Sequence, residues 1–215
     1  MPAAGYRFVT RPSVLPCVPL PVLEGHPQPL FTERLTLRPL GPEHAPALFA
    51  AFRDPAVYEF IPDDPPRAAG DLEARYRRTS AGPPTNDERW WNWAVASRER
   101  PDAPFGTVET SIRCDTGRAL IGYVFGRAAW GCGFACEACR AVLSHLYVHL
   151  PNAVVEAFID TRNVRSIALA ERLAFERQET LVGADYFKGT ASDEYRYRLP
   201  AANPASARSA SSSSR

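Results

Sequence analysis

The feature that most constrains the fold is a long amphipathic segment that follows a strand-like run of residues. Residues 119–126 are mostly apolar. After a turn with two glycines, apolar side chains recur at helical spacing, at Ala135, Ala138, Cys139, Val142, Leu143, Leu146, Tyr147 and Leu150. Such a stripe is typical of a helix with one face against a core. We therefore predict a strand, a glycine-bearing turn and a helix that packs on a sheet.

The rest of the chain alternates between strand and helix periodicity. The pattern predicts strands over 35–38, 91–97, 106–113, 119–126, 152–161, 178–182 and 194–199, and helices around 42–53, 71–78 and 164–173. Strand 152–161 follows a helical crossover, so we expect it to lie parallel to strand 119–126. This order predicts an α/β (α+β) fold with a mixed, mostly antiparallel twisted sheet of six to seven strands and helices on both faces.

The two ends of the chain differ from its middle. Residues 1–30 are rich in proline, which disfavours regular structure, and we interpret them as an extended arm. Residues 201–215 hold almost no large apolar side chain, so we predict a disordered tail. Residues 31–200 then form one domain.

Composition excludes several function classes. The formal charge is +1 and no polybasic block occurs, so charge predicts neither a nucleic acid nor a membrane partner. No run approaches the roughly 20 apolar residues that span a bilayer. The five cysteines are an odd number in a chain of this size, which favours reduced thiols. We expect a soluble, cytoplasmic protein.

The turn before the amphipathic helix suits an anion. Gly131 and Gly133 permit backbone torsions and close approaches that other residues hinder. The first N–H groups of a helix lack internal partners and carry partial positive charge, which favours a phosphate or pyrophosphate. The segment lacks both G-x-G-x-x-G and the Lys-Ser/Thr of a P-loop, so dinucleotide and ATP sites are disfavoured. An ordinary tight turn remains the alternative.

The same segment has a cysteine spacing that resembles an iron–sulfur motif. Cys132, Cys136 and Cys139 follow the C-x3-C-x2-C pattern of radical S-adenosylmethionine enzymes. Two of these cysteines fall inside the predicted helix, and the chain that follows is too short for the barrel of those enzymes. We therefore predict no metal site.

Several segments resemble the GNAT superfamily of acyl-CoA-dependent N-acetyltransferases. They read TERLTLRPL at 32–40, LIGYVFG at 120–126, WGCGFACEA at 130–138 and NVRSIALAERLAF at 163–175. The resemblance is greatest to the ribosomal-protein-alanine N-acetyltransferase branch. It implies direct transfer of an acetyl group from acetyl-CoA to a primary amine, on a protein N-terminus or a small molecule, without a metal, by a monomer or homodimer.

The resemblance also assigns cofactor-binding residues. The family's phosphate loop reads Gln/Arg-x-x-Gly-x-Gly/Ala, and Gly133 and Ala135 match it, with Trp130 at the first position. The implied contacts of coenzyme A are the backbone of Val124 and Phe125 on a splayed strand, the amides of Gly131, Cys132, Gly133, Phe134 and Ala135, and Asn163 and Ser166 of an Asn-x-x-Ser segment. Alternatively, Asn163 caps the following helix and Ser166 bonds its own backbone.

The catalytic assignments follow from what amine acetylation requires. A base must take a proton from the amine, and our candidate is Glu109 on strand 106–113, with Glu156 in reserve. Ser166 would hydrogen-bond the leaving sulfur. Glu109 could instead lie on a solvated face. Many relatives have, at the position of Ala170, a tyrosine that acts as the general acid. Because that acid is missing here, the alternative function is a catalytically silent acyl-CoA-binding module.

The acceptor side is the least defined part of the predicted site. Trp91 and Trp93 share one face of a strand and are our candidates for substrate contact, although aromatic residues also fill cores. Glu59, Asp63 and Asp64 could attract a cationic amine. Ala174 stands where the family usually has glycine.

Overall fold

The computed structural model describes residues 27–200, so most of the proline-rich arm and the tail at 201–215 lie outside the described residues. The strands are β1 Leu30–Phe31, β2 Leu35–Pro39, β3 Glu88–Ser97, β4 Gly106–Arg113, β5 Arg118–Phe125, β6 Val154–Asp160, β7 Glu176–Phe187 and β8 Thr190–Leu199. The helices are α1 Ala45–Phe52, α2 Ala69–Ser80, α3 Phe134–His149 and α4 Val164–Arg172.

All eight strands form one mixed sheet in the order β1-β2-β3-β4-β5-β6-β8-β7. Among the strands of residues 27–200, only β5 and β6 pair in parallel, as the helical crossover predicted. The expected count of six to seven strands is low by the two-residue strand β1, which pairs with β2 and is too short to show a period. Strand β7 is also far longer than the predicted 178–182, because its mostly exposed residues carry no alternating pattern.

Helices cover both faces of the sheet, as expected. On one face, α1 and α2 pack Leu48, Leu72 and Tyr76 in a cluster with Ala94 of β3. On the other face, α3 places Val142 and Leu146 in the main core. The cleft described below opens between β5 and β6, where both faces can be reached.

Ala174 closes α4 in a backbone conformation that glycine usually supplies. Its φ is +63°, and its N–H bonds to the carbonyl of Glu171 at 3.0 Å. A left-handed residue just after a helix is a common terminator. The substitution of alanine for the family's glycine therefore leaves the turn in place, at a cost of roughly 1 to 2 kcal/mol in backbone energy.

Strands β5 and β6 separate soon after they begin. Their pairing covers only Arg118–Leu120 against Val154–Glu156, while β5 continues to Phe125 in register with β4. The separation therefore begins before the predicted splay at 123–126. It leaves one edge of β5 without a neighbouring strand and opens a V-shaped cleft above Leu120. None of the helices in 27–200 is long and apolar enough to cross a membrane.

Candidate active site

The separated strands form the floor of a large cleft. Its volume is about 1940 Å³, and its walls come from β5, β6, α4, the segment between α1 and α2, and the β7–β8 hairpin. The glycine-bearing turn before α3 lines one end of the cleft, and the carboxylate of Glu109 lies on another wall. A single opening thus connects the predicted anion site to the predicted base.

The turn before α3 leaves a set of backbone donors unpaired. Gly131 and Gly133 adopt φ values of +73° and +77°, which favour glycine. The first α3 amide with a helical partner is that of Glu137, which donates to Gly133 O at 3.1 Å. Gly131, Gly133 and Ala135 line the cleft. This geometry fits a phosphate or pyrophosphate held by backbone N–H groups.

The side chains of Cys132 and Phe134 do not line the cleft. The Cys132 side chain is exposed, and Phe134 packs against Phe105 with ring centroids 5.2 Å apart. Their predicted contribution to cofactor binding is therefore confined to their backbone amides.

Thr32 and Arg34, which lie between β1 and β2, form hydrogen bonds with the turn and the first turn of α3. The Glu137 carboxylate accepts hydrogen bonds from Thr32 Oγ1 at 2.6 Å, Arg34 N at 3.0 Å and Arg34 Nε at 2.7 Å. Arg34 also donates from Nη1 to the carbonyl of Cys132 at 3.1 Å. Partial burial would raise the pKa of Glu137, but the donors and positive charge of Thr32 and Arg34 outweigh it and lower that pKa.

Trp130 connects the turn to β5 and to α4. Its indole Nε1 donates to the carbonyl of Phe125 at 2.8 Å. The guanidinium of Arg165 on α4 lies over the Trp130 ring, 4.1 Å from its centroid. This cation–π contact places a positive charge at the cleft, beside the first position of the phosphate loop.

The edge of β5 that faces the cleft carries different backbone groups from those expected. Gly126 N–H donates to Phe105 O across the β4–β5 ladder. Because hydrogen-bonded pairs alternate along antiparallel strands, the backbone of Val124 points to β4, and that of Tyr123 and Phe125 points to the open edge. Val124 lines the cleft, but its backbone is turned to β4, so its role as a cofactor ligand stays a prediction. The Phe125 carbonyl is also engaged, by Trp130.

Asn163 and Ser166 lie together at the start of α4. Asn163 Oδ1 accepts the Ser166 N–H at 3.1 Å, so Asn163 is the N-cap of the helix. Both residues line the cleft. The Tyr123 hydroxyl lies 3.4 Å from the Ser166 carbonyl, which connects α4 to β5.

Glu109 belongs to a network of charged side chains in the wall of the cleft near α2. Its carboxylate lies 3.8 Å from Arg75 Nη2 and accepts from Thr107 Oγ1 at 3.3 Å. Arg75 also pairs with Asp63 at 3.4 Å. Burial would lower the pKa of Arg75, but Glu109, Tyr76 and Asp63 raise it overall, so the guanidinium stays charged. Asp63 lines the cleft, whereas the exposed Glu59 and Asp64 do not.

The buried tyrosine in the same wall stays neutral. Burial raises the pKa of Tyr58 to about 12, although Arg75 opposes the shift. A phenol with such a pKa is a hydrogen-bond donor at neutral pH.

Glu156 forms ion pairs at the point where β5 and β6 separate. It is buried, with its carboxylate 2.6 Å from Arg118 Nη2 and 3.8 Å from Arg196 Nη1. Each of its carboxylate oxygens thus has an arginine partner. Glu109 forms an ion pair with Arg75 and remains our predicted base.

Trp91 and Trp93 are not acceptor contacts. Both side chains are almost fully buried in the core beneath α3, and neither lines the cleft. Trp91 packs against the rings of His145 and His149, and Trp93 Nε1 donates to Gln28 O at 2.8 Å. They face the core because the pleat turns their shared face away from α1 and α2.

The cysteine pattern does not form a metal site. Cys139 is fully buried in α3, where desolvation raises its thiol pKa, whereas Cys132 is exposed. Within residues 27–200, no three His, Cys, Asp or Glu side chains are grouped so that they could hold a metal ion.

Comparisons with known proteins identify the family. A sequence model of the acetyltransferase (GNAT) domain matches residues 34–176. The chain belongs to the GNAT family. An uncharacterized N-acetyltransferase, p20 of Bacillus licheniformis, is 31% identical over 174 residues, 79% of this chain and 94% of p20. This GNAT protein is thus an acyl-CoA-dependent N-acetyltransferase.

Two solved GNAT enzymes share its fold. The ribosomal-protein-S5-alanine acetyltransferase of Vibrio fischeri has a TM-score of 0.68 and 17% identity over 81% of this chain and 97% of that one. RimL, a ribosomal L7/L12 α-N-protein acetyltransferase in complex with coenzyme A, has a TM-score of 0.70 and 18% identity over 80% of this chain and 98% of its own.

The GNAT match ends at the first residue of β7, and sequence reasoning missed the wall that follows. Asp185 of β7 and Glu194 of β8 both line the cleft. Glu194 is half-buried, and burial, then the nearby charges of Asp185 and Asp160, raise its pKa.

Arg165 was missed as well. The only sequence signal for Arg165 was its place next to Ser166 in the Asn-x-x-Ser segment.

Proposed function

We propose that this protein transfers the acetyl group of acetyl-CoA directly to a primary amine inside the β5–β6 cleft. The separation of β5 from β6 carries the proposal. The edge of β5 beyond its pairing with β6 leads from Leu120 to the turn before α3, so one continuous path could offer an extended ligand backbone partners and then a phosphate site.

The chain supplies a complete set of groups for the cofactor. The amides of residues 131–135 and the charge of Arg165 would hold the pyrophosphate, and the N–H of Phe125 at the edge of β5 would pair with the pantetheine arm. Acetyl-CoA supplies a thioester carbonyl that an amine can attack. Ser166 and Asn163 border the same path, where the Ser166 hydroxyl could donate to the thiol sulfur.

The acceptor would enter from the side of α2 and the β7–β8 hairpin. Glu109 would accept a proton from the amine, and Arg75 fixes its position through their ion pair. Asp63, Asp185 and Glu194 add negative charge to these walls, which attracts an ammonium group before deprotonation. A peptide α-amine or a small amine metabolite meets these requirements.

The test is a thiol-release assay with acetyl-CoA against a panel of N-terminal peptides and small amines. We expect acetylated product and free coenzyme A in equal amounts. Glu109→Gln should lower kcat by about 10²- to 10⁴-fold, the usual contribution of a general base, with unchanged coenzyme A affinity. Glu99→Gln, at an exposed position before β4, is the matched control and should have no effect.

The same assay separates the alternative function. Ala170 is buried in α4, so that position offers no acid. If the protein binds coenzyme A in a calorimeter but acetylates no acceptor, it is a silent acyl-CoA-binding module and the proposal is wrong.

A further inference from the structure

The turn between β7 and β8 has an unusual residue at an unusual place. Lys188 is the only lysine in the 215-residue sequence, in which every other basic side chain of the Lys+Arg total is arginine. Lys188 and Gly189 form a two-residue turn with φ values of +50° and +76°. Positive φ at both central residues is characteristic of a type I′ turn, which strongly prefers Asn-Gly or Asp-Gly. Lysine is therefore a costly choice for the turn itself.

The Lys188 side chain reaches across to another part of the molecule. Its ammonium donates to the backbone carbonyls of Tyr58, Ile61 at 2.8 Å and Asp63 at 3.3 Å. An ammonium has three donor hydrogens, so this set of carbonyls satisfies all of them. Asparagine, which suits the turn better, is too short to replace a four-carbon stem.

The two segments joined by Lys188 both contribute walls of the cleft. Tyr58, Ile61 and Asp63 line it from the segment between α1 and α2, and Leu181 and Asp185 line it from β7. Asp63 also pairs with Arg75, the partner of Glu109. Lys188 thus connects the hairpin to the wall that carries the proposed base.

The hairpin is anchored to β6 as far as Ser192, which is buried and donates to Asp160 at 2.6 Å, and its tip extends beyond that point. Every β7 residue is exposed or only partly buried, and the β7–β8 register shifts twice, at Arg177/Glu179 and at Leu181/Asp185. Irregular pairing and few buried contacts make such a segment prone to local opening. The three hydrogen bonds of Lys188 are therefore a major anchor for the tip.

We propose that Lys188 is a latch that holds the β7–β8 hairpin against residues 58–63 and thereby limits the size of the acceptor amine. Lys188 is a positioning residue that touches neither the acceptor nor the cofactor. The inference about acceptor size rests on the proposed acetyl transfer. The latch itself is a property of the free protein and is tested without any substrate.

The first test is hydrogen exchange of the full chain without ligand. Lys188→Asn keeps a residue that suits the turn but removes the latch, and we expect about tenfold faster exchange in 58–63 and 181–187, the scale of a lost charged hydrogen bond. Lys188→Arg retains donors and should exchange more slowly than Lys188→Asn. Exchange in α3 should not change, and Thr190→Ser, across the same turn, is the control. Wild-type exchange rates in Lys188→Asn would overturn the latch.

A chemical test exploits the single lysine. An N-hydroxysuccinimide ester of acetic acid acylates free amines, so peptide mass spectrometry after labelling reports the accessibility of Nζ directly. An ammonium held by three carbonyls should react about tenfold more slowly than the lysine of an unstructured peptide. Equal rates would contradict the latch.

The last test measures selectivity. Lys188→Asn should raise the kcat/KM of a bulky primary amine relative to a small one by about tenfold, with the KM for acetyl-CoA unchanged. If hydrogen exchange accelerates while the selectivity ratio stays constant, the role in acceptor size is wrong. If neither wild type nor variant acetylates any amine, the exchange result still decides the latch, and only the proposed function fails.

Discussion

Gly133 shows how one backbone angle can create a binding site. With φ at +77°, it serves as the N-cap of α3 and aims the next amides into open space. A Cβ at this position would have room, because its nearest neighbour would be Arg34 Nη2 at 3.5 Å. The need for glycine is therefore conformational, and a substitution acts by turning the amides away.

Gly133→Val tests this reasoning, because β-branched residues are genuine outliers at positive φ. The backbone must relax, and we expect coenzyme A to bind at least about tenfold more weakly, the loss of one charge-assisted hydrogen bond or more. Gly82→Val is the matched control. Gly82 has φ +85° and open space around it, but lies after α2. Isothermal titration should show normal affinity in the control, and equal affinity in both variants would contradict the assignment of the turn.

Individual side chains divide into those that the sequence could place and those that it could not. Gly133 and Ser166 reach the cleft as predicted because a local motif orients them. The prediction that Trp91 and Trp93 contact the substrate failed because alternation shows that two residues share a face, but not which face is the core. Glu109 and Glu156 have similar local surroundings in sequence, and only the tertiary ion pairs with Arg118 and Arg196 distinguish them.

The strand region before α1 and helix α3 act as one unit through Glu137. Thr32 and Arg34 satisfy its carboxylate, and Arg34 also holds the carbonyl of Cys132. An acidic residue in the first turn of a helix would repel a bound phosphate, but the adjacent arginine compensates its charge. The turn before α3 is therefore positioned from its outer side by residues about 100 positions earlier.

Glu137→Gln should destabilise the protein at neutral pH by about 1 kcal/mol, because a charged acceptor for three donors becomes a weaker one. The folded pKa of Glu137 is lowered, so its contribution exists above the unfolded pKa and is lost as pH falls through the folded value. The difference between wild type and variant should thus disappear in acid. Urea unfolding at several pH values measures it. Glu73→Gln, in an exposed i,i+4 pair with Arg77, is the control and should change stability by less than about 0.5 kcal/mol. A difference that persists in acid would contradict the charge-based account.

Regular elements were predictable to the extent that one face is buried and the other is not. Helix α3 begins and ends within one residue of the predicted apolar stripe, and β4 has the predicted bounds. Strand β7 was underestimated by seven residues because exposed strands lack alternation. The separation of β5 and β6 was expected only through the family resemblance, since both strands have ordinary buried patterns.

The two packing clusters explain how the molecule keeps a large opening. The main core lies between the sheet and α3, and a smaller cluster lies under α1 and α2. Residues of both clusters line the cleft, among them Phe125 of the main core and Tyr76 of the smaller cluster. A ligand that fills the cleft would contact both halves and should resist unfolding of either.

Coenzyme A should therefore raise the thermal midpoint of the whole domain. A ligand at 100 times its Kd adds about 2.7 kcal/mol of stability, and about 2 to 4 °C per kcal/mol is usual for this size, so we expect a shift of about 5 to 10 °C. Gly133→Val should need at least tenfold more coenzyme A for the same shift, in line with its weaker binding. Lys188→Asn should retain the full shift, because the latch lies on the acceptor wall. Scanning calorimetry measures all three. A single unfolding transition that moves with coenzyme A supports one cleft shared by both halves, whereas two transitions of which only one moves would show that the ligand contacts one wall alone.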